Sequence, residues 1–207
     1  MTQHISWQKG SWTTEPKSSS ETESHLVVEA VKGSDYWQKT MYGFQHDNGH
    51  ALLIPWDTGQ AMEVTFMFQG FSELYDHAGI MLWHSPNQWI KAGIEITDGV
   101  PHIGAVVTDE FSDWSLFPLP ANWSEKKVTI RASVYKDAVI IRARAQDSHW
   151  HTIRVARFPY SEGNHAGPFL CAPTSDAFKV TFTNWVTNDP DEDIHTDPPI
   201  TENYNRN

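Results

Sequence analysis

The chain has 207 residues, of which ten are Trp and ten are Phe, and it carries a formal net charge of −11. This length is most simply one domain, and the large aromatic side chains supply a sizeable core. The negative charge argues against nucleic acid and against an anionic membrane surface as partners, because both are bound by concentrated basic surfaces. The single cysteine, Cys171, allows no internal disulfide. With no signal peptide or membrane-length apolar run, we expect a cytoplasmic protein.

Short strands separated by turn residues follow one another along most of the chain. The first 24 residues predict a short edge strand and a polar loop. Further strands are predicted at 25–31, 51–56, 64–68, 77–84, 89–96, 101–108, 128–135, 139–145, 150–158 and 178–185. No segment shows a sustained helical period, so the pattern indicates a sandwich or a barrel. From residue 187 onward the chain is rich in Asp, Asn, Pro and Thr, which predicts a disordered tail.

The predicted strand at 89–96 has one apolar face and one chemically mixed face. Apolar residues fill its even positions, whereas its odd positions carry a Trp, a Lys, a Gly and a Glu. Side chains alternate between the two faces of a strand. A face that met only water would usually carry Thr, Ser, Lys and Glu, so we expect this mixed face to contact something.

A turn at Asp98-Gly99 sets the register of this strand with its successor, because Asp-Gly supplies the positive φ angles of a two-residue hairpin. The apolar positions of the two strands then match, and a slip of one residue would destroy the match. The predicted pairs are Ile90–Val107, Ala92–Ala105, Ile94–Ile103, Gly93–Gly104 and Glu95–His102. The opposed glycines indicate either a bare patch for a ligand or another backbone, or a twist or bulge that glycine tolerates.

Aromatic rings beside polar groups favour recognition of a carbohydrate or a similar polar metabolite on this face. The candidate ligand-binding residues are Trp37, Tyr75, His77, Trp89, Lys91, Glu95, His102, Asp113 and Trp114. Two of the tryptophans, Trp89 and Trp114, would stack on the ligand, unless the rings serve only to pack the sandwich. Glu95 should favour the imidazolium form of His102, so ligand binding should change between about pH 5 and 8.

Catalysis has less support in the sequence. Glycoside hydrolysis usually needs two carboxyl groups about 5–10 Å apart, and Glu95 is alone on its strand face. The possible partners on other segments are Asp76, Asp109, Glu110 and Asp113. We expect no metal and no cofactor, because the eleven histidines lack a recognised zinc spacing and no phosphate-binding loop is present. If the protein is an enzyme, Glu95 and Asp113 are the candidate catalytic residues.

Five segments together carry a resemblance to a known family: 35–44, 74–81, 89–95, 106–115 and 167–173. Over about residues 10–187 the chain resembles a domain-of-unknown-function family of the concanavalin A-like lectin/glucanase superfamily. That family includes a yeast protein named for the regulation of enolase. The resemblance implies an all-β fold, a two-sheet antiparallel jelly-roll sandwich with a concave face, and supplies no agreed catalytic residues. We therefore expect an N-terminal extension at 1–9, the sandwich at 10–187 and the polar tail at 188–207.

Three functions remain open. The first is non-catalytic binding of a carbohydrate or polar metabolite on the concave sheet. The second is a protein-interaction or regulatory module that acts on a metabolic (glycolytic) enzyme, with the aromatic face as its hot spot. The third is a glycan-active hydrolase or isomerase that uses Glu95 as acid or base.

Overall fold

The computed structural model describes residues 1–146, 148–160 and 162–200, and nearly all its regular structure is β-strand. In chain order the strands are β1 (Gln3–His4), β2 (Ser11–Trp12), β3 (Ser18–Glu21), β4 (Leu26–Glu29), β5 (Tyr36–Gln38), β6 (Gln45–Asp47), β7 (His50–Pro55), β8 (Ala61–Met67), β9 (His77–Ser85), β10 (Gln88–Thr97), β11 (Val100–Asp109), β12 (Phe111–Pro118), β13 (Lys127–Tyr135), β14 (Ala138–Ala145), β15 (His151–Arg157), β16 (His165–Cys171) and β17 (Lys179–Asn188). Single 3-10 turns lie at Trp7–Lys9 and Ala121–Trp123. No helix among these residues is long and apolar enough to cross a membrane.

Two large antiparallel sheets form a sandwich, which confirms the predicted fold class. The eight-stranded sheet has the order β15-β14-β13-β8-β17-β4-β3, with β1 paired to β17. The seven-stranded sheet has the order β12-β11-β10-β9-β16-β7-β2. Alternate residues of both sheets point inward and form one apolar core, in which Phe66, Ile80 and Ile94 are fully buried. Burying each such side chain contributes roughly 1.5–3 kcal/mol.

The predicted hairpin register is confirmed. β10 and β11 pair through Ile94–Ile103 and Gly93–Gly104, and Glu95 faces His102. Asp98 and Gly99 both have positive φ, as a two-residue turn of this kind requires. The local turn and the apolar pattern were therefore sufficient to place ten residue pairs of this ladder.

Strands β5, β6, β12 and β16 lie outside the predicted segments. β16 contains Gly167 and Pro168, two residues that weaken a strand signal. The pairing of β16 with β7 is interrupted at these two residues, while its pairing with β9 continues through them. The missing pair of Pro168 with β7 agrees with its lack of an N–H that could donate to a neighbouring strand.

Two segments of the chain cover the outer faces of the sandwich. The β5–β6 hairpin lies over the seven-stranded sheet and closes a second apolar cluster around Tyr36, Trp89 and Phe169. On the eight-stranded sheet, the segment 189–198 makes hydrogen bonds to Arg131, Arg142 and Trp150. The strand pattern that predicts the sandwich does not predict either of these two covering segments.

The first half of the predicted tail makes polar contacts with the eight-stranded sheet. The Asp191 carboxylate is buried between Arg131 and Arg142, at 2.7 and 3.0 Å, and its backbone N–H donates to Ser133. Arg142 also donates to the carbonyl oxygens of residues 193, 194 and 196. Composition predicted disorder because the segment has few apolar side chains, whereas hydrogen bonds and ion pairs hold it. The remainder of the predicted tail, residues 201–207, lies outside the described residues.

Candidate functional site

Four ionisable side chains meet on the outer face of the seven-stranded sheet, beside the β5–β6 hairpin. Lys91 and Glu95 point outward because they occupy odd positions of β10, and His77 lies opposite Glu95 on β9. Asp35 reaches this face from the residue that precedes β5. The Lys91 ammonium donates to Asp35 Oδ1 at 2.9 Å and lies 3.0 Å from His77 Nε2. We call Asp35, His77, Lys91 and Glu95 the charged cluster.

Burial and mutual charge fix the protonation states in this cluster. Burial disfavours the ammonium of Lys91, but the Asp35 carboxylate outweighs it, so the pKa of Lys91 is raised. Burial and the neighbouring Lys91 charge lower the pKa of His77 to about 4. The neutral imidazole therefore accepts from Lys91 at Nε2 and donates from Nδ1 to the Tyr75 carbonyl oxygen, 2.7 Å away. The cluster is a buried ion pair with a neutral histidine.

Glu95 lies at the outer edge of the cluster and is half-buried. Burial raises the pKa of its carboxyl, and the positive charge of Lys91 opposes this shift. The Thr97 hydroxyl donates to Glu95 Oε1 at 3.0 Å. His102 faces Glu95 across the ladder, but the described side chains contain no hydrogen bond or ion pair between them, and His102 Nδ1 instead lies 2.8 Å from the Val100 carbonyl oxygen. The two residues therefore interact only through their charges, and His102 lowers the pKa of Glu95 slightly against the effect of burial.

Three side chains place ligand atoms within 4.8 Å of one another: the half-buried Asp35 and the buried His77 and Cys171. This spacing alone would suit a metal ion. However, the Lys91 ammonium already contacts both Asp35 and His77. Burial also raises the pKa of the Cys171 thiol well above its usual range. These residues therefore hold an ammonium group where a metal ion would otherwise lie.

The two tryptophans nearest the cluster are packing residues. Trp89, predicted to stack on a ligand, is only 1% exposed, and its indole N–H donates to the Pro86 carbonyl oxygen. Trp37 is also buried, and its indole N–H donates to the Thr40 carbonyl oxygen. Both rings pack beneath or within the β5–β6 hairpin, so they offer no ring face to a ligand. The alternating pattern of β10 could not show that Trp89 is covered, because the covering hairpin is formed by residues 36–47.

Other aromatic side chains remain accessible at the edge of this face. Trp114 is 38% exposed and contacts Trp37 and Tyr75, with ring centroids 6.3 and 6.5 Å away. Tyr42, 48% exposed, stacks on Phe44 with a centroid distance of 5.2 Å. We call Tyr42, Phe44, Tyr75 and Trp114 the aromatic rim. The hairpin and β12 each supply part of it.

Asp113 is separated from these residues. It precedes Trp114 on β12 and therefore points to the other face of the strand. Its carboxylate accepts from Arg154 on β15 at 2.8 Å, which joins the edges of the two sheets. The sequence-based pairing of Asp113 with Glu95 as two catalytic carboxyls is not supported by this arrangement.

A small recess lies between the aromatic rim and the glycines of β10 and β11. It is lined by Gly93, Gly104, Lys91, Glu95 and Trp114, among others, and its cavity volume is ≈ 20 Å³. This is room for about one water molecule. The recess can therefore receive one polar group of a larger ligand, but not a whole sugar ring.

The glycines themselves are required by the close approach of the strands. Gly79, Gly93 and Gly104 form one row across β9, β10 and β11. A Cβ atom on Gly93 would lie 2.0 Å from the Ala78 carbonyl oxygen, and one on Gly104 would lie 2.2 Å from the Ser115 carbonyl oxygen. Of the two alternatives for the opposed glycines, the structure supports close backbone approach.

The sequence analysis missed Asp35 and Phe44 as members of this surface. Asp35 to Phe44 is one of the segments that carry the family resemblance, as are the segments containing His77 and Lys91. These three segments converge at the charged cluster. That all three segments carry the family resemblance is the sequence signal that could have indicated the missing residues.

Fold and site together describe a two-sheet β-sandwich with a charged cluster and an aromatic rim on one sheet. The same fold occurs in a xylan β-1,4-xylosidase from Bacillus halodurans C-125, with a TM-score of 0.60 and 12% identity over 79% of this chain and 32% of that one. A functionally unknown protein from Saccharomyces cerevisiae is more similar, with a TM-score of 0.83 and 32% identity over 90% of this chain and 99% of that one.

The chain belongs to the family described as protein of unknown function (DUF1349), whose model matches residues 12–190. It is similar to "Regulation of enolase protein 1" of Saccharomyces cerevisiae, with 35% identity over 178 residues. That match covers 86% of this chain and 88% of the yeast protein. The resemblance inferred from the sequence motifs is confirmed.

Proposed function

We propose that the protein is a non-catalytic interaction module that binds a metabolic enzyme through its aromatic rim. The observation that carries this proposal is the exposure of Tyr42, Phe44 and Trp114, of which Trp114 lines a recess too small for a whole ligand. Contiguous exposed aromatic surface marks interaction sites, and Trp and Tyr are enriched among the residues that dominate binding energy. The neighbouring Met41, 88% exposed, extends the apolar surface.

The charged cluster would hold this rim in shape before a partner arrives. The ion pair of Lys91 with Asp35 ties the start of the β5–β6 hairpin to the sheet. The backbone N–H of Gln38 in the same hairpin donates to the Ser112 hydroxyl on β12. Preorganisation of this kind raises affinity because fewer side chains and loops must be ordered on binding.

Enolase is the first partner to test, because a relative of this chain is named for the regulation of enolase. Binding of the purified protein to purified enolase would be measured by biolayer interferometry, and enolase turnover would be followed in parallel. The Trp114→Ala variant should bind at least about tenfold more weakly, as expected for a hot-spot residue. Phe117→Ala is the matched control, because Phe117 is 42% exposed on the same strand but points to the other face.

Two results would refute this proposal. One is the absence of any complex between enolase and the wild-type protein at micromolar concentrations. The other is an equal loss of affinity in Trp114→Ala and Phe117→Ala, which would mean that the rim has no special role.

Binding of a carbohydrate or polar metabolite at the same surface is the second candidate function. It is favoured by the recess, in which one polar group of a ligand would lie near both Lys91 and Glu95. In this case Trp114 would cover the rest of the ligand. A glycan array should then give sugar signals that Trp114→Ala removes, and Glu95→Gln should weaken them. If a sugar is also turned over, Glu95→Gln should stop turnover while binding persists, and unchanged turnover would exclude Glu95 as the acid or base.

A further inference from the structure

A groove crosses the outer face of the eight-stranded sheet, which is the other side of the sandwich from the aromatic rim. Its cavity volume is ≈ 1080 Å³, which is large enough for a ligand of several rings. The floor consists of β8, β13, β14 and β17, and the walls consist of residues 4–8 and of the turn at 21–24. This groove offers the space that the recess beside Lys91 does not.

Four polar side chains form a straight row along the floor of the groove. Arg144, Thr129, Thr65 and Asn184 are direct cross-strand neighbours in that order. Neighbouring strands lie about 4.8 Å apart, so the row extends about 14 Å across the sheet. The side chains point outward because the alternate residues, such as Val64, fill the core.

The middle of this row has hydrogen-bonding capacity to spare. The hydroxyls of Thr65 and Thr129 lie 2.9 Å apart and bond to each other. Each hydroxyl can donate one hydrogen bond and accept two, so their mutual bond leaves one donor and several lone pairs for a ligand. The half-buried Asn184 amide makes no hydrogen bond to another described residue. It offers two donors and one acceptor oxygen.

The charged residues around the groove carry both signs. Lys127 and Arg144 lie at one end, and Glu21 and Glu23 lie at the other. A fifth charged residue, Glu63, is already bonded to Arg131 at 2.6 Å. The groove therefore has no concentration of one sign of charge that would select a strongly anionic or cationic ligand.

The adjacent row of the same sheet face already holds an extended polar chain. That row consists of Glu63, Arg131 and Arg142, and the segment 189–197 crosses it from β17 toward β15. Its contacts come from side chains of the sheet rather than from strand pairing. An extended chain can therefore be bound across the strands of this sheet by side chains alone.

From these observations we propose that the groove is a second binding site, for a neutral, hydroxyl-rich chain of the linear oligosaccharide class. The strands of its floor are paired on both sides, so a peptide could not add to them as it adds to a sheet edge. A ligand in this groove would instead need many hydroxyl groups, which form hydrogen bonds with the hydroxyl and amide groups of the floor. The site is independent of the aromatic rim and of any protein partner bound there.

The test is a titration of the intact protein with neutral linear oligosaccharides of glucose, xylose and mannose, three to six units long, by isothermal calorimetry. The key variant is Thr65→Val/Thr129→Val, which removes both hydroxyls and keeps the shape of the floor. Since the two hydroxyls bond each other, replacing both should leave the fold nearly as stable. We expect at least one sugar to bind the wild-type protein and to bind this variant about tenfold more weakly. Asn184→Ala should show a similar loss, and Trp114→Ala should bind like the wild type.

The proposal would be overturned if no sugar in the panel bound at millimolar concentration. It would also be overturned if Thr65→Val/Thr129→Val and Asn184→Ala bound as tightly as the wild type. Loss of sugar binding in Trp114→Ala would assign the sugar to the rim instead. Finally, enolase binding should be unchanged in the groove variants, so failure of this proposal can be told apart from failure of the proposed function.

Discussion

Lys91 shows how one residue can control a surface without being exposed on it. The residue is only 4% exposed, and its ammonium donates hydrogen bonds to a carboxylate and to a neutral imidazole. Transferring such a charge out of water is costly unless its partners compensate. The three residues must therefore be treated as a unit, and removing any one of them changes the charge balance of the other two.

Replacing Lys91 with Met should destabilise the protein by about 3 kcal/mol, because the Asp35 carboxylate loses its cation in a largely buried place. The double variant Asp35→Asn/Lys91→Met should recover most of this loss, since neither charge then remains unpaired. Urea unfolding of the single and double variants would measure both effects.

Lys39→Met provides the control for Lys91→Met. The ion pair of Lys39 with Glu110 is solvent-exposed, so its removal should change the free energy of unfolding little. A Lys91→Met variant as stable as Lys39→Met would show that the buried pair makes no net contribution.

His77 should make the protein less stable in acid. Its pKa is about 4 in the folded protein and near 6.5 in the unfolded chain, so below pH 6.5 the unfolded chain takes up a proton that the folded protein does not. The contribution of His77 to the free energy of unfolding is therefore fully present above pH 6.5 and is lost as the pH falls toward 4. It amounts to about 3 kcal/mol at about 1.4 kcal/mol per pKa unit.

The pH effect can be isolated by comparing the wild type with His77→Gln, because every other titrating group is shared. Thermal unfolding at intervals between pH 7 and pH 4.5 should show a smaller loss of stability in the variant. Asp35, whose pKa is lowered, loses its contribution only at more acidic pH. Parallel stability curves for the two proteins would contradict the assignment of a neutral buried His77.

At the scale of elements, the β10–β11 hairpin was predictable and the β5–β6 hairpin was not. The first is specified locally, by Asp98-Gly99 and by alternation on both strands. The second lies over a sheet that is formed by residues up to about 130 positions later in the chain. Its position depends on Tyr36 and Trp37 packing against Trp89 and Phe169, and sequence periodicity contains no information about which face an insertion will cover. The sequence therefore brings Lys91 and Glu95 to this face, but it does not show that the hairpin leaves Trp37 and Trp89 buried.

The segment 189–198 depends on Asp191 in the same way that the hairpin depends on Lys91. Asp191→Asn should destabilise the protein by about 3 kcal/mol or more, because Arg131 and Arg142 would lose a buried counter-charge. Chemical denaturation would give the size of the effect, and limited proteolysis should show faster cleavage in this segment.

Asp197→Asn is a matched control, since Asp197 pairs with the same Arg142 but its side chain is 53% exposed. This change should cost less than about 1 kcal/mol. Equal destabilisation by the two substitutions would mean that the segment is held by its exposed end rather than by Asp191.

At the scale of the whole molecule, one tryptophan of ten stands apart. Seven are buried and two are half-buried, whereas Trp114 is exposed. Acrylamide quenching of the native fluorescence should therefore fall markedly in Trp114→Phe, and a partner bound at the rim should shift the emission of the wild type to the blue but not that of the variant. Trp12→Phe, at a half-buried position, should leave quenching nearly unchanged. Similar quenching in Trp114→Phe and the wild type would mean that another tryptophan is accessible.

The separation of the aromatic rim from the groove has a consequence for how such a protein can change over time. The aromatic rim is set by residues 42–44, 75 and 114, and the groove is set by residues 4–8, 21–24 and four strands of the other sheet. The two surfaces share no residue, and the apolar core lies between them. Substitutions that alter one specificity therefore leave the other intact. Under the two proposals made above, a lineage could replace a protein partner of the rim while keeping a ligand of the groove, or the reverse, on one unchanged scaffold.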